Sequence, residues 1–298
     1  MKGYFFSGGA TKFVALIGAF KRLLQLKKKP DLVGGVSAGA ILCWLFIHDN
    51  IDAGIKVGLR MKLKTIFSSS PFNNKGGLTL AAIARLVGGL IVPNRWNYLG
   101  KMGNLEKLLR QYGSHESFRR YVENPNSPDA YVVAVNARTS ARKGWNLKEL
   151  SYEKAIKAIM ASSTIAGVAP AVEIDGEYYY DGGHRDHSPG PWILKYASKG
   201  LDEVVSVYTR PDDYKLPEKN EWRKNLIALY MNFVIPTYNI EVSKNDEYVE
   251  QKECYEKEID LEQIFIKPFA KWIFDVSPAS LLRGYQYGQD AVTKQYIR

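Results

Sequence analysis

The chain has 298 residues, of which 46% are hydrophobic and 24% charged, enough to bury a substantial core in one large domain or in one domain with an extension. Its two cysteines, Cys43 and Cys254, form no CxxC or Cys/His cluster, which argues against a disulfide framework and a structural zinc site and favours a reducing compartment. No run of about 18 apolar residues occurs, so we expect no membrane-spanning helix.

The net charge of +10 is unevenly distributed along the chain. Residues 1–200 hold 28 Lys and Arg against 14 Asp and Glu, whereas residues 201–298 hold 13 against 17. A basic first part is compatible with an anionic membrane surface, with nucleic acid, or with solubility alone.

The first 50 residues contain two strand–turn–helix units. A short apolar strand at 3–6 leads through the glycine turn SGGATK into a helix at 13–26. A second strand, DLVGGV, leads directly into a strongly apolar helix at 37–51. Two such units in succession favour a parallel sheet flanked by helices.

Helices and strands continue to alternate through the middle of the chain. The patterns predict a loop at 67–77, helices at 78–90, 104–112, 151–164 and 192–200, a strand at 130–137, a hairpin at 171–183 turning at Asp175–Gly176, and a last core strand at 202–210.

Residues 212–298 are predicted to form an extension packed on a core of residues 1–211. It should hold a helix at 221–233, an exposed acidic stretch at 241–262, a strand at 262–269 and a closing helix at 278–296.

The stretch Gly35-Val36-Ser37-Ala38-Gly39 fits the pattern G-x-S-x-G. A serine nucleophile at the tip of a strand-to-helix turn needs small neighbours, because the backbone there is strained and closely packed. The following helix also directs its N-terminal N–H groups towards the site. The alternative is an ordinary glycine turn, but the position between a strand and a helix favours a nucleophile.

An oxyanion hole for such a serine could come from Gly8, Gly9 and Ala10. These residues follow the first strand as Ser37 follows the second, so both turns should lie at the same edge of the sheet. A phosphate-binding loop is less favoured, because SGGATK fits neither GxxxxGK[ST] nor GxGxxG.

The histidines argue against an ordinary Ser-Asp-His triad, since no histidine follows His187. Asp181, in Asp181-Gly182-Gly183, is the candidate base, because it ends an apolar and aromatic strand and could reach inward. Its alternative role is that of an Asp-Gly turn.

Together these motifs resemble the patatin-like phospholipases. The chain has SGGATK at 7–12, GVSAG at 35–39 and DGG at 181–183, in the order of that family, and the segment 161–183 resembles the family's segment before D-G-G, with Pro170 and Gly176 matching. The resemblance covers about residues 3–211, and residues 277–292 resemble the closing helix of bacterial members.

Four positions depart from the family pattern. Ala10 replaces a third glycine, Phe13 replaces another glycine, and Lys12 stands where arginine is commoner. His187 replaces a frequent asparagine, although Pro189 is kept. Ala10 can still offer its N–H group unless the turn requires a positive φ.

The resemblance implies a patatin-like three-layer α/β/α sandwich with a mainly parallel central sheet. It also implies a lipid acyl hydrolase with a Ser37–Asp181 dyad, an oxyanion hole from Gly8, Gly9 and Ala10, and no metal or organic cofactor. Supporting residues are Lys12, Gly35, Gly39, Gly182 and Gly183. Lys12 either holds the glycine turn or is a solvated lysine at the start of a helix.

The substrates implied are phospholipids, lysophospholipids or neutral glycerides. We expect a cytoplasmic protein with peripheral contact to an anionic membrane surface and no nucleic-acid partner, since no binding motif accompanies the basic charge. The segment 78–92 is predicted as core, with a mobile cover or an interfacial patch as the alternative.

Two other functions fit the same residues. One is a general carboxylesterase or acyltransferase that acts on soluble or thioester substrates. The other is a non-catalytic patatin-like binding module, for which Ala10 and Phe13 would be signs of decay.

Overall fold

A computed structural model of the chain describes residues 1–26, 29–73, 77–91, 98–197, 200–210, 235–267 and 274–297. Within these residues, no helix is both long enough and apolar enough to cross a bilayer. The helix predicted at 221–233 lies outside the described residues.

Eight strands form one mixed sheet in the order β5-β6-β3-β2-β1-β7-β8, with β4 paired to β3. In chain order they are β1 (Lys2–Phe6), β2 (Leu32–Gly35), β3 (Asp129–Asn136), β4 (Arg142–Asn146), β5 (Val172–Ile174), β6 (Glu177–Asp181), β7 (Glu203–Tyr208) and β8 (Asp260–Phe265).

The sheet is mainly parallel, as predicted. Strand β1 pairs in parallel with β2 and β7, β2 pairs in parallel with β3, and β7 pairs in parallel with β8. The prediction that β7 is the last core strand is therefore wrong, because β8 extends the sheet beyond it. The apolar residues of β7 on both faces are a sign of an interior strand, since edge strands of this kind of sheet are half exposed.

Strand β2 leads to Ser37 and strand β6 ends at Asp181, and both pair with β3. Val132 of β3 pairs with Gly35 of β2, and Ala134 pairs with Asp181 of β6. Strand β4 pairs with both Val132 and Ala134, so it occupies the other edge of β3. Strands β2 and β6 therefore approach each other end to end along one edge, with their final residues two β3 positions apart.

Eleven helices are described, five before residue 100 and six after it. They are α1 (Phe13–Leu26), α2 (Ala38–Ile47), α3 (Ile51–Leu59), α4 (Leu63–Ile66), α5 (Leu80–Ile91), α6 (Gly103–Tyr112), α7 (His115–Glu123), α8 (Tyr152–Ser163), α9 (Gly190–Tyr196), α10 (Ile235–Glu256) and α11 (Pro278–Tyr296).

The core lies on both faces of the sheet, which gives the three-layer α/β/α sandwich. Tyr4 and Phe6 of β1 join the larger buried cluster, which includes apolar residues of α1, α2 and α8. Phe5, between them, joins a second cluster with residues of α9 and α10. Alternate side chains of a strand point to opposite faces, so the sheet is covered on both sides.

The hairpin is confirmed, with Asp175 and Gly176 both at positive φ between β5 and β6. Five elements were not predicted, namely helices α3, α4, α7 and α10 and strand β4. Helix α7 and strand β4 are short and rich in polar residues, so they carry little hydrophobic periodicity.

Candidate active site

The turn between β2 and α2 holds Ser37 in a strained conformation, with φ 54° and ψ −116°. Such a conformation costs a non-glycine residue about 1–3 kcal/mol and persists only where the surroundings impose it. They do so here: a Cβ on Gly35 would lie 2.1 Å from the carbonyl carbon of Gly39, and a Cβ on Gly39 would lie 2.2 Å from the Phe6 oxygen. The glycines of G-x-S-x-G thus allow α2 to pack against β1 and β2.

Two serines at the end of α8 fix the backbone of Ser37. The Ser37 N–H donates to Ser162 Oγ at 3.0 Å, and Ser162 Oγ donates to the Val133 carbonyl at 2.6 Å. Ser163 Oγ donates to the Ser37 carbonyl at 3.3 Å. The sequence offered these serines only as part of the segment 161–183, without a role for either of them.

Asp181 ends β6 directly beside this turn and is 5% exposed. Its Oδ1 accepts the Gly183 N–H at 2.8 Å, and its carboxylate lies near enough to Ser37 for the serine to affect its pKa. Burial raises the pKa of Asp181, while the charge of His184, the nearby Ser37 and the hydrogen bond from Gly183 oppose that rise. The structure brings together the serine and the carboxylate that the sequence singled out.

Glycines after Asp181 are required by close packing. A Cβ on Gly182 would lie 2.4 Å from the Val133 carbonyl oxygen, and one on Gly183 would lie 3.1 Å from Asp181 Oδ1. His184 follows, and its Nε2 accepts the Ala166 N–H at 3.0 Å. The D-G-G segment therefore fits tightly against the sheet.

The glycine turn after β1 lies on the opposite side of Ser37. A Cβ on Gly8 would lie 3.4 Å from Ser37 Cβ, so the turn and the serine are in van der Waals range. Gly9 has φ 156° and Ala10 has φ 48°. The turn does require a positive φ at Ala10, where alanine costs about 1–2 kcal/mol relative to the right-handed conformation.

The three N–H groups predicted for an oxyanion hole are not equivalent. The Gly8 N–H donates to the His187 carbonyl at 2.7 Å and is therefore already occupied. The N–H groups of Gly9 and Ala10 have no hydrogen-bond partner among the described residues. The sequence could not exclude Gly8, because the competing acceptor lies 179 positions away in the chain.

A further backbone donor, which sequence reasoning missed, is Ala38. It is the first residue of α2, directly after Ser37, and its N–H has no hydrogen-bond partner in the described part of the chain. The sequence feature that could have identified Ala38 is its position directly after the serine, at a helix N-terminus, where N–H groups are free to bind negative charge.

Lys12 holds the glycine turn and is not a solvated lysine. Its Nζ donates to the Thr209 carbonyl at 3.0 Å, and burial lowers its pKa to about 8. Thr209 Oγ1 in turn donates to the Gly8 carbonyl at 2.6 Å. The turn after β1 is thereby tied to the chain that follows β7.

His187 is buried beside the glycine turn and stays neutral. Burial, together with the charges of Lys12 and Arg210, lowers its pKa to about 3. A base with so low a pKa takes up a proton poorly near pH 7. Asp181 is therefore the better base of the two.

Acidic residues of α10 hold the backbone that carries His187. Asp246 Oδ2 accepts the N–H groups of His187 at 2.5 Å and Ser188 at 2.9 Å. Glu250 accepts hydrogen bonds from the Ser188 and Tyr208 hydroxyls. The prediction of an exposed acidic stretch at 241–262 is wrong at these positions, because Asp246 and Glu250 are fully buried.

The buried acids lie close to one another, and their charges interact. Asp186 pairs with Arg142 and lies close enough to Asp246 for each carboxylate to affect the pKa of the other. Burial raises the pKa of Asp186 to about 6, and burial together with the charge of Asp186 raises the pKa of Asp246 well above its ordinary value. Among the described residues, no group of His, Cys, Asp or Glu side chains is arranged to hold a metal ion.

Comparison with known proteins gives one family and several similar folds. The family model for patatin-like phospholipase matches residues 4–189, which include β1, the Ser37 turn and the D-G-G segment. No curated protein sequence gives a significant match.

Two solved structures are similar to this chain. VipD from Legionella pneumophila is 15% identical, with a TM-score of 0.45, over 98% of this chain and 66% of its own. The type III effector protein ExoU is 12% identical, with a TM-score of 0.46, over 100% of this chain and 53% of its own. The chain thus spans about two thirds of the first and about half of the second.

Proposed function

Because the chain belongs to the patatin-like phospholipase family, we propose that it is a serine lipid acyl hydrolase of the phospholipase A or lysophospholipase type. The observation that carries this proposal is the pairing of Ser37, on its strained turn, with the buried carboxylate of Asp181. A buried carboxylate is a stronger base than one in water, because desolvation destabilises its charge.

In the first half of the reaction, Asp181 accepts the Ser37 proton while Oγ attacks the ester carbonyl carbon. The carbonyl π electrons move to oxygen and give a tetrahedral oxyanion. When the oxyanion collapses, the ester C–O bond breaks and the leaving alkoxide takes the proton from Asp181. The acyl chain then remains on Ser37 as an ester.

The oxyanion would be stabilised by the N–H groups of Gly9, Ala10 and Ala38, which have no hydrogen-bond partner among the described residues. Gly8 would hold the turn in place through its bond to the His187 carbonyl. Losing one oxyanion donor costs about 10²–10³ in rate in well-studied hydrolases.

In the second half, Asp181 takes a proton from a water molecule that attacks the acyl-enzyme. The resulting oxyanion collapses, the acyl–Oγ bond breaks, and Ser37 regains the proton from Asp181. The fatty acid is released, and the site returns to its starting state. Lys12, whose pKa is lowered to about 8, would add positive potential on the oxyanion side.

The charge distribution supports a lipid surface as the place of reaction. Residues 1–200 carry 28 Lys and Arg against 14 Asp and Glu, and we propose peripheral contact with an anionic membrane. Electrostatic attraction of this kind would concentrate the enzyme where its substrate lies.

Fatty-acid release tests this function directly. Wild type, Ser37→Ala and Asp181→Asn would be compared on detergent micelles of phosphatidylcholine and of lysophosphatidylcholine, and on a short-chain soluble ester. Asp175→Asn is a matched control, because Asp175 is an exposed aspartate in the hairpin turn. We expect release by wild type and by the control, and none by Ser37→Ala.

Two outcomes would contradict the proposal in different ways. Cleavage of the short-chain ester without cleavage of either lipid would identify a general carboxylesterase. A folded wild-type protein that cleaves none of the three substrates would favour a non-catalytic binding module.

A further inference from the structure

Helix α5 presents an apolar face to solvent. The exposed fractions are 86% for Leu80, 43% for Ile83, 46% for Leu86 and 48% for Val87. Ala82, one turn before Leu86, is fully buried and marks the edge of this face. Neighbouring exposed leucine, isoleucine and valine side chains on one helix face are the mark of an interaction surface, whereas single ones are ordinary. The prediction of a core helix at 78–92 is wrong for this face.

Helix α5 is held by hydrogen bonds to residues that in turn contact the segment before the D-G-G strand. One guanidinium nitrogen of Arg85 donates to the Leu99 carbonyl at 2.7 Å and to Ser69 Oγ at 3.1 Å. The N–H groups of Leu99 and Gly100 donate to the carbonyls of residues 167 and 168 at 2.9 and 2.8 Å.

The segment 164–168 connects that attachment to the catalytic aspartate. The Thr164 carbonyl accepts the Asp181 N–H at 2.8 Å, and the Ala166 N–H donates to His184. Three hydrogen bonds, from Arg85 to Leu99, from Leu99 to residue 167 and from Asp181 to Thr164, therefore link the middle of α5 to Asp181.

The chain around α5 is basic without interruption. Residues 53–105 contain eight Lys and Arg and no Asp or Glu. Five of these cations are described as exposed, namely Lys56, Arg60, Lys62, Lys64 and Lys101. None of the five forms an ion pair with any residue that the structure describes, in contrast to Lys21, which pairs with Asp52.

We propose that α5 is the face by which the protein docks on a bilayer of anionic phospholipid. Leu80, Ile83, Leu86 and Val87 enter the boundary between head groups and acyl chains, and the exposed cations that precede and follow α5 along the chain pair with lipid phosphates. With 12 residues the helix is about 18 Å long, too short to span the roughly 30 Å hydrocarbon core, so it lies in the plane of the interface.

This inference rests on the proposed function, since a lipid hydrolase needs such a surface. A bilayer fits the observations better than a protein partner does. An anionic bilayer is apolar inside and negatively charged at its surface. It therefore matches a helix face of four apolar side chains and a set of cations without ion pairs among the described residues.

Vesicle co-sedimentation of the full chain tests the apolar part of the surface. The vesicles are phosphatidylcholine alone, or phosphatidylcholine mixed with phosphatidylglycerol. The double variant Ile83→Asp/Val87→Asp should lose binding to the anionic vesicles at least about tenfold. Leu282→Asp is the matched control, because Leu282 is 51% exposed on α11, and it should bind like wild type.

The charged part of the surface needs a separate pair of variants. Lys64→Glu/Lys101→Glu should reduce binding to the anionic vesicles by about tenfold or more, whereas Lys143→Glu, an exposed lysine on β4, should not. Equal binding of wild type to both kinds of vesicle would overturn the electrostatic argument. Equal binding of Ile83→Asp/Val87→Asp and Leu282→Asp would overturn the docking face.

The depth of insertion gives a readout that does not depend on affinity. Both cysteines are buried, and burial raises their pKa values, so an environment-sensitive thiol dye should label only the new thiol of Val87→Cys. Its emission should shift to the blue on anionic vesicles. An unchanged spectrum on vesicles that sediment with the protein would contradict insertion of α5.

Two further results separate this inference from the proposed function and from self-association. Fluorophosphonate labelling of Ser37 without vesicles should be the same in wild type and in Ile83→Asp/Val87→Asp. Labelled protein that binds no vesicles would refute the docking face alone, whereas vesicle binding through α5 without labelling would refute the hydrolase alone. A wild-type dimer that Ile83→Asp/Val87→Asp dissociates would assign the face to a second copy and overturn the proposal.

Discussion

On the Ser37 side of the candidate site, Gly35, Gly39 and Gly182 lie where a methyl group would collide with backbone atoms. On the other side, the glycine turn is held by buried polar groups. Lys12 binds the Thr209 carbonyl there, and Asp246 holds the loop whose carbonyl accepts the Gly8 N–H. The two sides face each other across the serine, but one is fixed by close packing and the other by hydrogen bonds and charge.

This difference has consequences for stability and for evolution of the site. Close packing of one backbone segment against another does not depend on pH, and it accepts only glycine at the contact. Buried acids change their charge with pH, and the residues that satisfy them can come from a distant part of the chain. The hydrogen bonds on the oxyanion side should therefore respond to pH and to changes in α10, whereas the backbone packing around Ser37 should not.

The largest expected effect is a difference in stability between two variants, each of which adds a methyl group to a glycine on one side of the site. Gly182→Ala places Cβ about 2.4 Å from the Val133 carbonyl oxygen, and we expect a loss of more than about 3 kcal/mol of unfolding free energy. Gly8→Ala places Cβ at an ordinary contact of 3.4 Å from Ser37 Cβ, so the protein should fold, with reduced hydrolysis. Urea unfolding and ester hydrolysis measure the two effects, and equal stability of the two variants would contradict the comparison.

The next effect concerns the acceptor supplied by α10. Asp246→Ala leaves the N–H groups of His187 and Ser188 without their acceptor, which should cost about 2–3 kcal/mol of unfolding free energy. It should also slow hydrolysis, because the His187 carbonyl positions Gly8. Asp246→Asn keeps an acceptor oxygen and is the matched control. If urea unfolding finds the alanine variant as stable as the asparagine variant, Asp246 does not hold this loop.

The pH dependence of stability should reveal the same acids. Their pKa values are raised in the folded state, so folding takes up protons, and the stability they contribute is greatest below the unfolded pKa. For Asp186 the loss should fall between about pH 4 and pH 6 and amount to about 3 kcal/mol. Asp246→Asn removes the neighbouring carboxylate and should flatten the profile relative to wild type. Parallel profiles of the two proteins in chemical denaturation from pH 4 to pH 8 would contradict this account.

The smallest effect concerns the strained alanine of the glycine turn. Ala10 has φ 48°, which glycine adopts without steric cost, so Ala10→Gly should raise the unfolding free energy by up to about 1 kcal/mol. Hydrolysis should change by less than about twofold, because the Ala10 N–H is kept. Thermal unfolding measures the gain, and a destabilised glycine variant would show that the turn is not strained at this residue.

The Ser37 side of the site, which is fixed by close packing, was largely predictable from sequence. The glycine-turn side, which is held by buried polar groups, was not. G-x-S-x-G and D-G-G can be read locally, because their small residues meet backbone within one strand–turn–helix unit or across a neighbouring strand. The bond from Gly8 to His187 joins residues far apart in the chain, so no local pattern announces it. The acids of α10 were predicted to be exposed because acidic residues usually are, whereas Asp246 is buried by accepting two backbone N–H groups.

The same distinction explains the other differences in the fold. Helix α1 was predicted from 13 to 26 and begins and ends at those residues, since its apolar spacing is unambiguous. Strand β8 adds to the edge of the sheet through pairing with β7, and long-range pairing of that kind has no local signal. The exposed face of α5 was taken for core because its apolar residues look the same in either environment.

The central claim is that Ser37 and Asp181 act as a nucleophile and its base. The most direct test is the rate at which a fluorophosphonate labels the intact protein, followed by mass spectrometry for wild type, Ser37→Ala, Asp181→Asn and Asp246→Asn. We predict one label on wild type, none on Ser37→Ala, labelling at least about a hundredfold slower for Asp181→Asn, and a rate close to wild type for Asp246→Asn. Labelling of Ser37→Ala, or an Asp181→Asn rate equal to wild type, would contradict the dyad.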